Sequence, residues 1–419
     1  MSMQLTNEIT TCTNSTVYNN EFKEASKKKA TDFTRNRKMP FEEVILFMLL
    51  SLKCSTQSAL RRFFTSISKP VVMKQQSFSE ARTKVKVEAF ITLFKLTVEI
   101  MTKRRVKKWH GYRVYAVDGS KIALPADKKL LKYYGGHGRN AASPTAQGSI
   151  IYDVINDIVA DALISPMAAD ERILAKAHID SVKDYTPGEK KLIIFDRGYP
   201  SFELIEKLES EGLYYLMRVR EKFNLEIDAQ TKPDDYILLK KNGKQMHVRV
   251  VKFKLDSGET ETLTTNITDK RLGVKAFKKL YFTRWPVETK YDIVKNKLQI
   301  ENFTSRTTEG IEQDFYAAMY LTNVAAAAAI DAQSEIEDSR KEKNNKYEYK
   351  ANTNELIGIL KDRLVLAITY DEPSKQAAAI QSIVDEIKGS VIPKRIGRSI
   401  PRNPCPRKVK FHHNQRVNC

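Results

Sequence analysis

The sequence lacks the features that mark membrane, secreted and zinc-binding proteins. The 419-residue sequence contains no run of about 18 apolar residues, so we expect no transmembrane helix. The N-terminus lacks the basic-then-apolar order of a signal peptide, which favours a cytoplasmic protein. The four cysteines are far apart without a CxxC pair, and the six histidines are scattered, so neither a zinc site nor a disulfide framework gains support.

Acidic residues are also scarce relative to basic ones. Lys and Arg number 71 against 51 Asp and Glu, which gives a net charge of +20. This balance favours a polyanionic partner, with nucleic acid first and an anionic membrane surface second. An RNA-associated protein gains little support, because the sequence contains no RNP or KH-type motif.

Apolar residues make up 42% of the chain, which is enough for the cores of two or three domains. Residues 1–105 predict a small helical domain with a basic exterior, which either contacts a polyanionic partner or is the solvated face of helices that pack on a core. Its first 30 residues are polar and indicate a frayed start, and a helix begins at Pro40 with apolar residues at helical spacing.

The pattern changes to strands and then to alternating strands and helices in a core predicted at 106–310. The predicted strands and hairpin lie at 112–118, 121–124, 148–166, 191–196 and 213–219. A β-rich insertion is predicted at 220–272. Strands followed by alternating elements indicate a mixed α/β (α+β) layer fold.

The C-terminal part is predicted to consist of helices at 311–388 and a basic tail at 389–419. From Lys388 onward the chain has nine Lys or Arg residues, four prolines and no acidic residue. This composition is typical of an extended basic arm rather than of a packed element.

Two aspartates end apolar runs, Asp118 in VYAVDGS and Asp196 in LIIFDRGY. Each has a structural alternative, since Asp-Gly begins many turns and Asp-Arg-Gly can form a local salt bridge. Asp196 is the stronger candidate for catalysis, because Arg197 would place a cation at the carboxyl end of a strand, where open α/β sheets bind ligands.

A third acid belongs to the pattern Tyr281-x2-Arg284-x3-Glu288-x6-Lys295. On a helix interrupted near Pro286, Glu288 and Lys295 lie two turns apart on one face. A solvated helix whose acids pair with neighbouring cations explains the pattern equally well when it is taken alone.

The three carboxylates together change this balance. Two-metal phosphoryl transfer uses carboxylates to hold two Mg²⁺ ions, which prefer hard oxygen ligands. Neighbouring Arg and Lys side chains would hold phosphates, and Tyr281 could hydrogen-bond to one. The sequence therefore predicts a metal-dependent enzyme that acts on a phosphate backbone.

These motifs resemble those of DDE transposases of bacterial insertion sequences, specifically the insertion sequence 4 family. The resemblance is carried by AVDGS (116–120), FDRGYPS (195–201) and the Tyr-Arg-Glu-Lys pattern, and it covers roughly residues 30–410. It implies an RNase H-like core with Asp118, Asp196 and Glu288 as a catalytic triad that binds two Mg²⁺ ions, for which Mn²⁺ can substitute. It also implies that Tyr281, Arg284 and Lys295 contact the DNA of the transposon end.

The activity that the resemblance implies is cleavage at terminal inverted repeats and transfer of the 3′ hydroxyl to target DNA. The partners would be double-stranded DNA and a second copy of the chain in a paired-end complex, in the cytoplasm at the nucleoid. One alternative is an inactive or domesticated transposase that only binds DNA. A second is an Mg²⁺ nuclease without joining activity.

Related enzymes stack a tryptophan of the β-rich insertion on a flipped base, but Trp109 and Trp285 both lie outside this insertion. Phe223 or Tyr236 could take that role, since any aromatic face can stack on a base. Trp285, beside Arg284, is either a DNA contact or an anchor in the core.

Overall fold

The computed structural model describes residues 4–394, except 36–37, 51–52, 71–72, 105, 138–140, 184, 242 and 342–345. Nearly all of the predicted basic tail lies outside the described residues. The helices are α1 (Leu5–Val17), α2 (Asn20–Ser26), α3 (Phe41–Leu49), α4 (Thr56–Ser66), α5 (Gln75–Arg82), α6 (Glu88–Lys103), α7 (Lys128–Tyr134), α8 (Glu171–Val182), α9 (Phe202–Ser210), α10 (Leu225–Ala229), α11 (Val274–Phe282), α12 (Pro286–Asp292), α13 (Thr308–Asp338), α14 (Thr353–Thr369) and α15 (Pro373–Gly389). A π-helix at Ile293–Lys297 follows α12 directly.

Most of the strands belong to one large sheet. The strands are β1 (Tyr112–Ala123), β2 (Gly136–His137), β3 (Ser143–Asp153), β4 (Ile158–Pro166), β5 (Lys190–Phe195), β6 (Tyr214–Val219), β7 (Asp234–Lys241), β8 (Lys244–Lys254), β9 (Thr260–Thr265), β10 (Tyr349–Ala351) and β11 (Val391–Pro393). The large sheet has the order β2-β3-β1-β5-β6-β9-β8-β7, with β4 paired to β3. Strands β10 and β11 form a separate antiparallel pair.

The centre of the sheet combines an antiparallel hairpin with parallel strands. Strands β3 and β4 are antiparallel and turn at Asp157, as predicted, whereas β5 is parallel to both β1 and β6. Strand β5 is apolar from Leu192 to Phe195, and this run lies in the same core as α8 and α9, where Ile193 and Phe195 are fully buried. The mixed α/β fold predicted from the sequence is confirmed.

The β-rich segment continues this sheet. Strand β9 pairs antiparallel with β6, and β8 and β7 follow it outward. Its inner face joins the same apolar core, where Val248 and Val250 are buried with residues of β5 and β6. The insertion therefore stiffens the edge of the core instead of forming a separate sheet.

One strand prediction is wrong in a way that matters for the site. The sequence predicts two short strands on either side of Gly119, but β1 is continuous from Tyr112 to Ala123. Asp118 therefore lies inside a strand. Glycine at position 119 lets the side chain of Gln147 approach the backbone of β1 closely, because a Cβ atom there would lie 2.7 Å from Nε2 of Gln147.

The chain forms two compact units that do not follow the chain order. The first contains Met1–Met101, Ala123–Thr145 and Ile293–Cys419, and the second contains Thr102–Ile122 and Ala146–Asp292. The functional domain boundaries that the sequence suggests stay a prediction. In the part of the chain that the structure describes, none of the helices has the length and apolarity needed to span a membrane.

The first unit is mainly helical, and its N-terminal segment is well packed. The predicted frayed start is wrong, since α1 buries Ile9 and Val17 completely. Asp331 of α13 accepts hydrogen bonds from the backbone N–H groups of Leu5 at 3.0 Å and Thr6 at 2.8 Å. These bonds satisfy donors that the first turn of a helix leaves without intrahelical partners.

Candidate active site

The pairing of β1 with β5 sets the positions of two of the predicted catalytic acids. These parallel strands pair with a constant offset, from Tyr112 opposite Lys190 to Ala116 opposite Ile194, and 190 − 112 = 78. The same offset separates Asp118 from Asp196, since 196 − 118 = 78. The two aspartates therefore lie at the same level, Asp118 within β1 and Asp196 directly after β5, two residues beyond the last paired residues.

Arg284 connects these aspartates with Glu288. Its Nη2 atom lies 3.1 Å from Oε1 of Glu288 and 3.8 Å from Oδ2 of Asp196. Burial raises the pKa of Asp118, and the positive charge of Arg284 opposes that rise. Arg284 is only 5% exposed, so one buried guanidinium pairs with Glu288, lies near Asp196 and acts electrostatically on Asp118.

The local sequence explains how Arg284 and Glu288 come to face each other. Helix α11 ends at Phe282 and α12 begins at Pro286, a residue suited to the first turn of a helix. Arg284 and Glu288, four residues apart, form an ion pair across this junction. The π-helix then changes the helical register, and Lys295 belongs to the first unit, where its Nζ atom lies 4.0 Å from Oε1 of Glu301.

The two aspartates differ in their ionisation. Burial raises the pKa of Asp118 to about 6, against the charge of Arg284 and the backbone N–H of Gly119. Burial also raises the pKa of Asp196, but the backbone N–H of Arg197, the charge of Arg284 and the hydroxyl of Tyr281 outweigh it and lower the pKa overall. The site therefore favours a proton on Asp118 over one on Asp196 when no metal is bound.

The remaining predicted contact residues fall into buried and exposed groups. Tyr281 is buried, and its hydroxyl donates a hydrogen bond of 3.0 Å to Oδ1 of Asp196. Arg197 is exposed, and its backbone N–H donates to Asp196 at 2.8 Å. Trp285 is 60% exposed and touches Phe282 edge-to-face, which rules out the core-anchor alternative.

Sequence reasoning missed several residues that support this site. Arg218 of β6 places Nη1 3.8 Å from Oδ1 of Asp196 and also pairs with Glu261. The hydroxyl of Tyr291 donates to the backbone carbonyl of Asp118 at 3.0 Å. Tyr291 could have been found as the residue at i+3 from Glu288, and Arg218 as the cation near the end of the next apolar run.

A fourth carboxylate, that of Glu171, also lies beside the site. Its Oε1 atom accepts a hydrogen bond of 3.2 Å from Nε2 of Gln147. Burial is the main cause that raises the pKa of the Tyr199 hydroxyl, and the negative charges of Glu171, Asp118 and Asp196 raise it further. No sequence motif marks Glu171, because it begins a helix far from the other acids in the chain.

The donor chemistry of the site suits a hard divalent cation. Asp118, Asp196 and Glu288 offer carboxylate oxygens, the ligands that Mg²⁺ prefers. Within the described ranges, no three Asp, Glu, His or Cys side chains converge closely enough to hold one ion in common. The guanidinium of Arg284 instead supplies a positive charge to all three acids, by contact with Glu288 and Asp196 and by its field at Asp118.

The chain is similar in sequence to known transposases. Residues 109–324 match the family model described as "Transposase DDE domain". The chain is 24% identical over 187 residues to the putative transposase InsZ of Escherichia coli strain K12, a match that covers 42% of this chain and 60% of that protein's length. Among solved structures, it is similar to the piggyBac transposase in a synaptic complex with hairpin DNA, with a TM-score of 0.48, 10% identity, and coverage of 93% of this chain and 87% of that one. The family model spans 216 of the 419 residues (324 − 109 + 1), including all three acids that share Arg284, and the chain therefore belongs to the DDE transposase family.

Proposed function

We propose that this protein is the transposase of a bacterial insertion sequence of the insertion sequence 4 family. It would bind the terminal inverted repeats, cleave the DNA backbone and transfer the 3′ hydroxyl end to target DNA. The observation that supports this most is the sharing of Arg284 by Asp118, Asp196 and Glu288 inside the matched domain. A cluster of acids around one buried cation suits phosphoryl transfer better than it suits a passive DNA-binding surface.

Asp118, Asp196 and Glu288 would hold the metal. Two Mg²⁺ ions, or Mn²⁺ in their place, would supply activation of the attacking oxygen and stabilisation of the leaving oxygen. Tyr281 orients Asp196 through its hydrogen bond, and Tyr291 fixes the backbone at Asp118. Both tyrosines are buried, so the carboxylates are held on a rigid support.

Cationic and aromatic side chains would hold the DNA of the transposon end. Arg284, now paired with the carboxylates, would bind a phosphate as a planar, bidentate donor. Arg197 and Trp285 are exposed next to Asp196 and Arg284 in the chain, and they would contact the backbone and stack on a base. Tyr281 and Lys295 complete the proposed set of DNA contacts.

The first unit offers a separate basic surface for the inverted repeat. A cavity of about 920 Å³ there is lined by Lys23, Arg35, Lys38 and Lys84, with Asp32 and Glu80 as its acids. An excess of cations around a cavity of this size suits a DNA backbone. We infer that a homodimer would use this surface to pair two transposon ends, in the cytoplasm at the nucleoid.

The test is cleavage of a labelled duplex that carries the inverted repeat flanking the protein's own gene, in Mg²⁺ and beside a scrambled duplex. Glu288→Gln should keep end binding and abolish cleavage, because the amide cannot supply an anionic ligand. Glu203→Gln, which changes an exposed glutamate of α9, should cleave like the wild type. Cleavage by Glu288→Gln at the wild-type rate would overturn the assignment of the triad.

Two alternatives are separated by the same assay. If the wild-type protein binds both duplexes in a salt-sensitive way and cleaves neither, it is an inactive transposase that acts only as a DNA-binding protein. If it cleaves but does not join a pre-cut 3′ end to plasmid DNA, it is a nuclease without transfer activity.

A further inference from the structure

Glu171 lies against the chain next to both predicted catalytic aspartates. A Cβ atom at Gly119 would lie 3.1 Å from its Oε1 atom, and a Cβ atom at Gly198 would lie 3.7 Å from its Oε2 atom. Gly119 directly follows Asp118, and Gly198 is two residues after Asp196. The approach at Gly119 is tighter than an ordinary Cβ contact and the approach at Gly198 is an ordinary one, so the carboxylate of Glu171 lies beside both segments.

The position of the carboxylate is set by its neighbours. Glu171 is the first residue of α8, whose start is capped by Asp170 through a hydrogen bond of 2.8 Å from the backbone N–H of Arg172. The buried Gln147 of β3 donates to Oε1 of Glu171 at 3.2 Å. Glu171 is exposed, so its carboxylate can reach solvent as well as these segments, and the N-terminus of α8 stabilises a negative charge there.

Tyr199 supplies an independent sign that a ligand belongs between these acids. Its side chain is 3% exposed, and its hydroxyl has no hydrogen-bond partner among the described residues. Burial raises the pKa of this hydroxyl most, and the negative charges of Glu171, Asp118 and Asp196 raise it further, so the hydroxyl lies within the field of these acids. A buried hydroxyl without a partner implies a polar ligand or an ordered water that completes its hydrogen bonding.

We propose that Glu171 is a fourth carboxylate of the divalent-cation site and that it acts on the cation through the ion's bound water, since no three acidic side chains of the described residues converge closely enough to ligate one ion directly. This inference rests on the proposed function, because it assumes that the triad binds a cation. A hydrated ion would also give the Tyr199 hydroxyl a water partner. Glu171 then sets cation affinity, a property that can be measured without DNA or catalysis.

The experiment is Mn²⁺ binding to the full-length protein, measured as the loss of the electron paramagnetic resonance signal of free Mn²⁺. Glu171→Gln should weaken binding about tenfold or more, the loss typical when a supporting group of a metal site is removed. The substitution keeps an oxygen that can accept the Gln147 hydrogen bond, so the unfolding midpoint in EDTA should stay unchanged. The matched control is Glu226→Gln, which changes an exposed glutamate in the first turn of another helix, α10, and should bind Mn²⁺ like the wild type.

Variants of the triad separate the two proposals. If Asp118→Asn and Asp196→Asn weaken Mn²⁺ binding and Glu171→Gln does not, Glu171 only supports the fold and this inference is wrong, while the proposed function stands. If none of the three variants changes Mn²⁺ binding, the cation site of the proposed function fails, and the role of Glu171 fails with it.

Discussion

At the scale of single residues, the ionisation of Asp118 is the most unusual property of the site. The folded protein raises its pKa from 3.8 to about 6, chiefly through burial. The folded state therefore holds this proton more tightly than the unfolded chain does. Stability from this group is complete below about pH 4 and is lost as the pH rises through about 6.

Asp118→Asn should consequently stabilise the metal-free protein at high pH. At pH 8 the pKa difference lowers the free energy of unfolding of the wild type by roughly 3 kcal/mol, and the variant with the uncharged amide avoids this loss. In EDTA the variant should unfold at a higher temperature than the wild type at pH 8, with a smaller gap at pH 5.

The control for this prediction is Asp235→Asn. Lys232 lowers the pKa of this surface aspartate, so its substitution should bring no gain at pH 8. A gap for Asp118→Asn that is equal at both pH values would show that burial does not govern its ionisation.

The convergence of Asp118 with Asp196 could be predicted, because both follow apolar runs that parallel strands bring to one edge. The sharing of Arg284 could not. Its i+4 spacing to Glu288 gives an ion pair, but its approach to Asp196 depends on the junction between α11 and α12. Charge patterns in a sequence do not show which residue a cation faces across the fold.

At the scale of elements, α1 shows how a polar helix can be essential to a core. Its sequence is polar with little apolar periodicity, and it therefore predicts a frayed start. Thr6, Thr10 and Thr13 are instead fully buried, and the hydroxyls of Thr13 and Tyr320 form a hydrogen bond of 2.9 Å. A pattern of apolar residues cannot reveal a helix that is held by buried hydrogen bonds.

Asp331→Ala should loosen α1 selectively. The carboxylate accepts from the N–H groups of Leu5 and Thr6 and from the Thr6 hydroxyl, and losing a cap of this kind costs about 1 kcal/mol or more. Amide hydrogen exchange in residues 5–17 should become faster, measured by mass spectrometry. Asp338→Ala removes an exposed aspartate of the same helix, α13, and should leave exchange in α1 unchanged, whereas equal effects would show a general loss of stability.

The long helices and the sheet were the most predictable elements, because each has a strong period or a continuous apolar run. The helices predicted at 311–388 include most of α13, and the strand predicted at 191–196 is β5. The extension of the sheet through β9 was not predictable, since alternation in a sequence shows that a strand exists but not which strand it pairs with.

At the scale of the whole molecule, the net charge of +20 determines the electrostatic part of the proposed binding to DNA. Residues 395–419 contribute seven Lys or Arg residues and no acid, and they lie outside the described residues. Electrostatic binding to a duplex depends on how many counterions are released, and therefore on how many phosphates the cations neutralise.

A protein that ends at residue 394 should bind every duplex more weakly and with a shallower dependence on salt. Each lost phosphate contact should reduce the slope of log affinity against log salt by about 1, as measured by fluorescence anisotropy. The ratio of affinities for the inverted repeat and a scrambled duplex should not change. A drop in that ratio would show that the tail reads sequence.

The buried position of Arg284 couples the binding of a cation to the binding of DNA. The guanidinium neutralises the three acids that would bind the cation, and it is also the group proposed to hold a phosphate. Any cation that takes over the acids releases Arg284 for DNA, and any phosphate that draws Arg284 away leaves the acids attractive to a cation. By thermodynamic reciprocity, the two ligands then raise each other's affinity by the same factor. In such a protein the acids and Arg284 would all have ligands of opposite charge only when the metal and the DNA end are both bound.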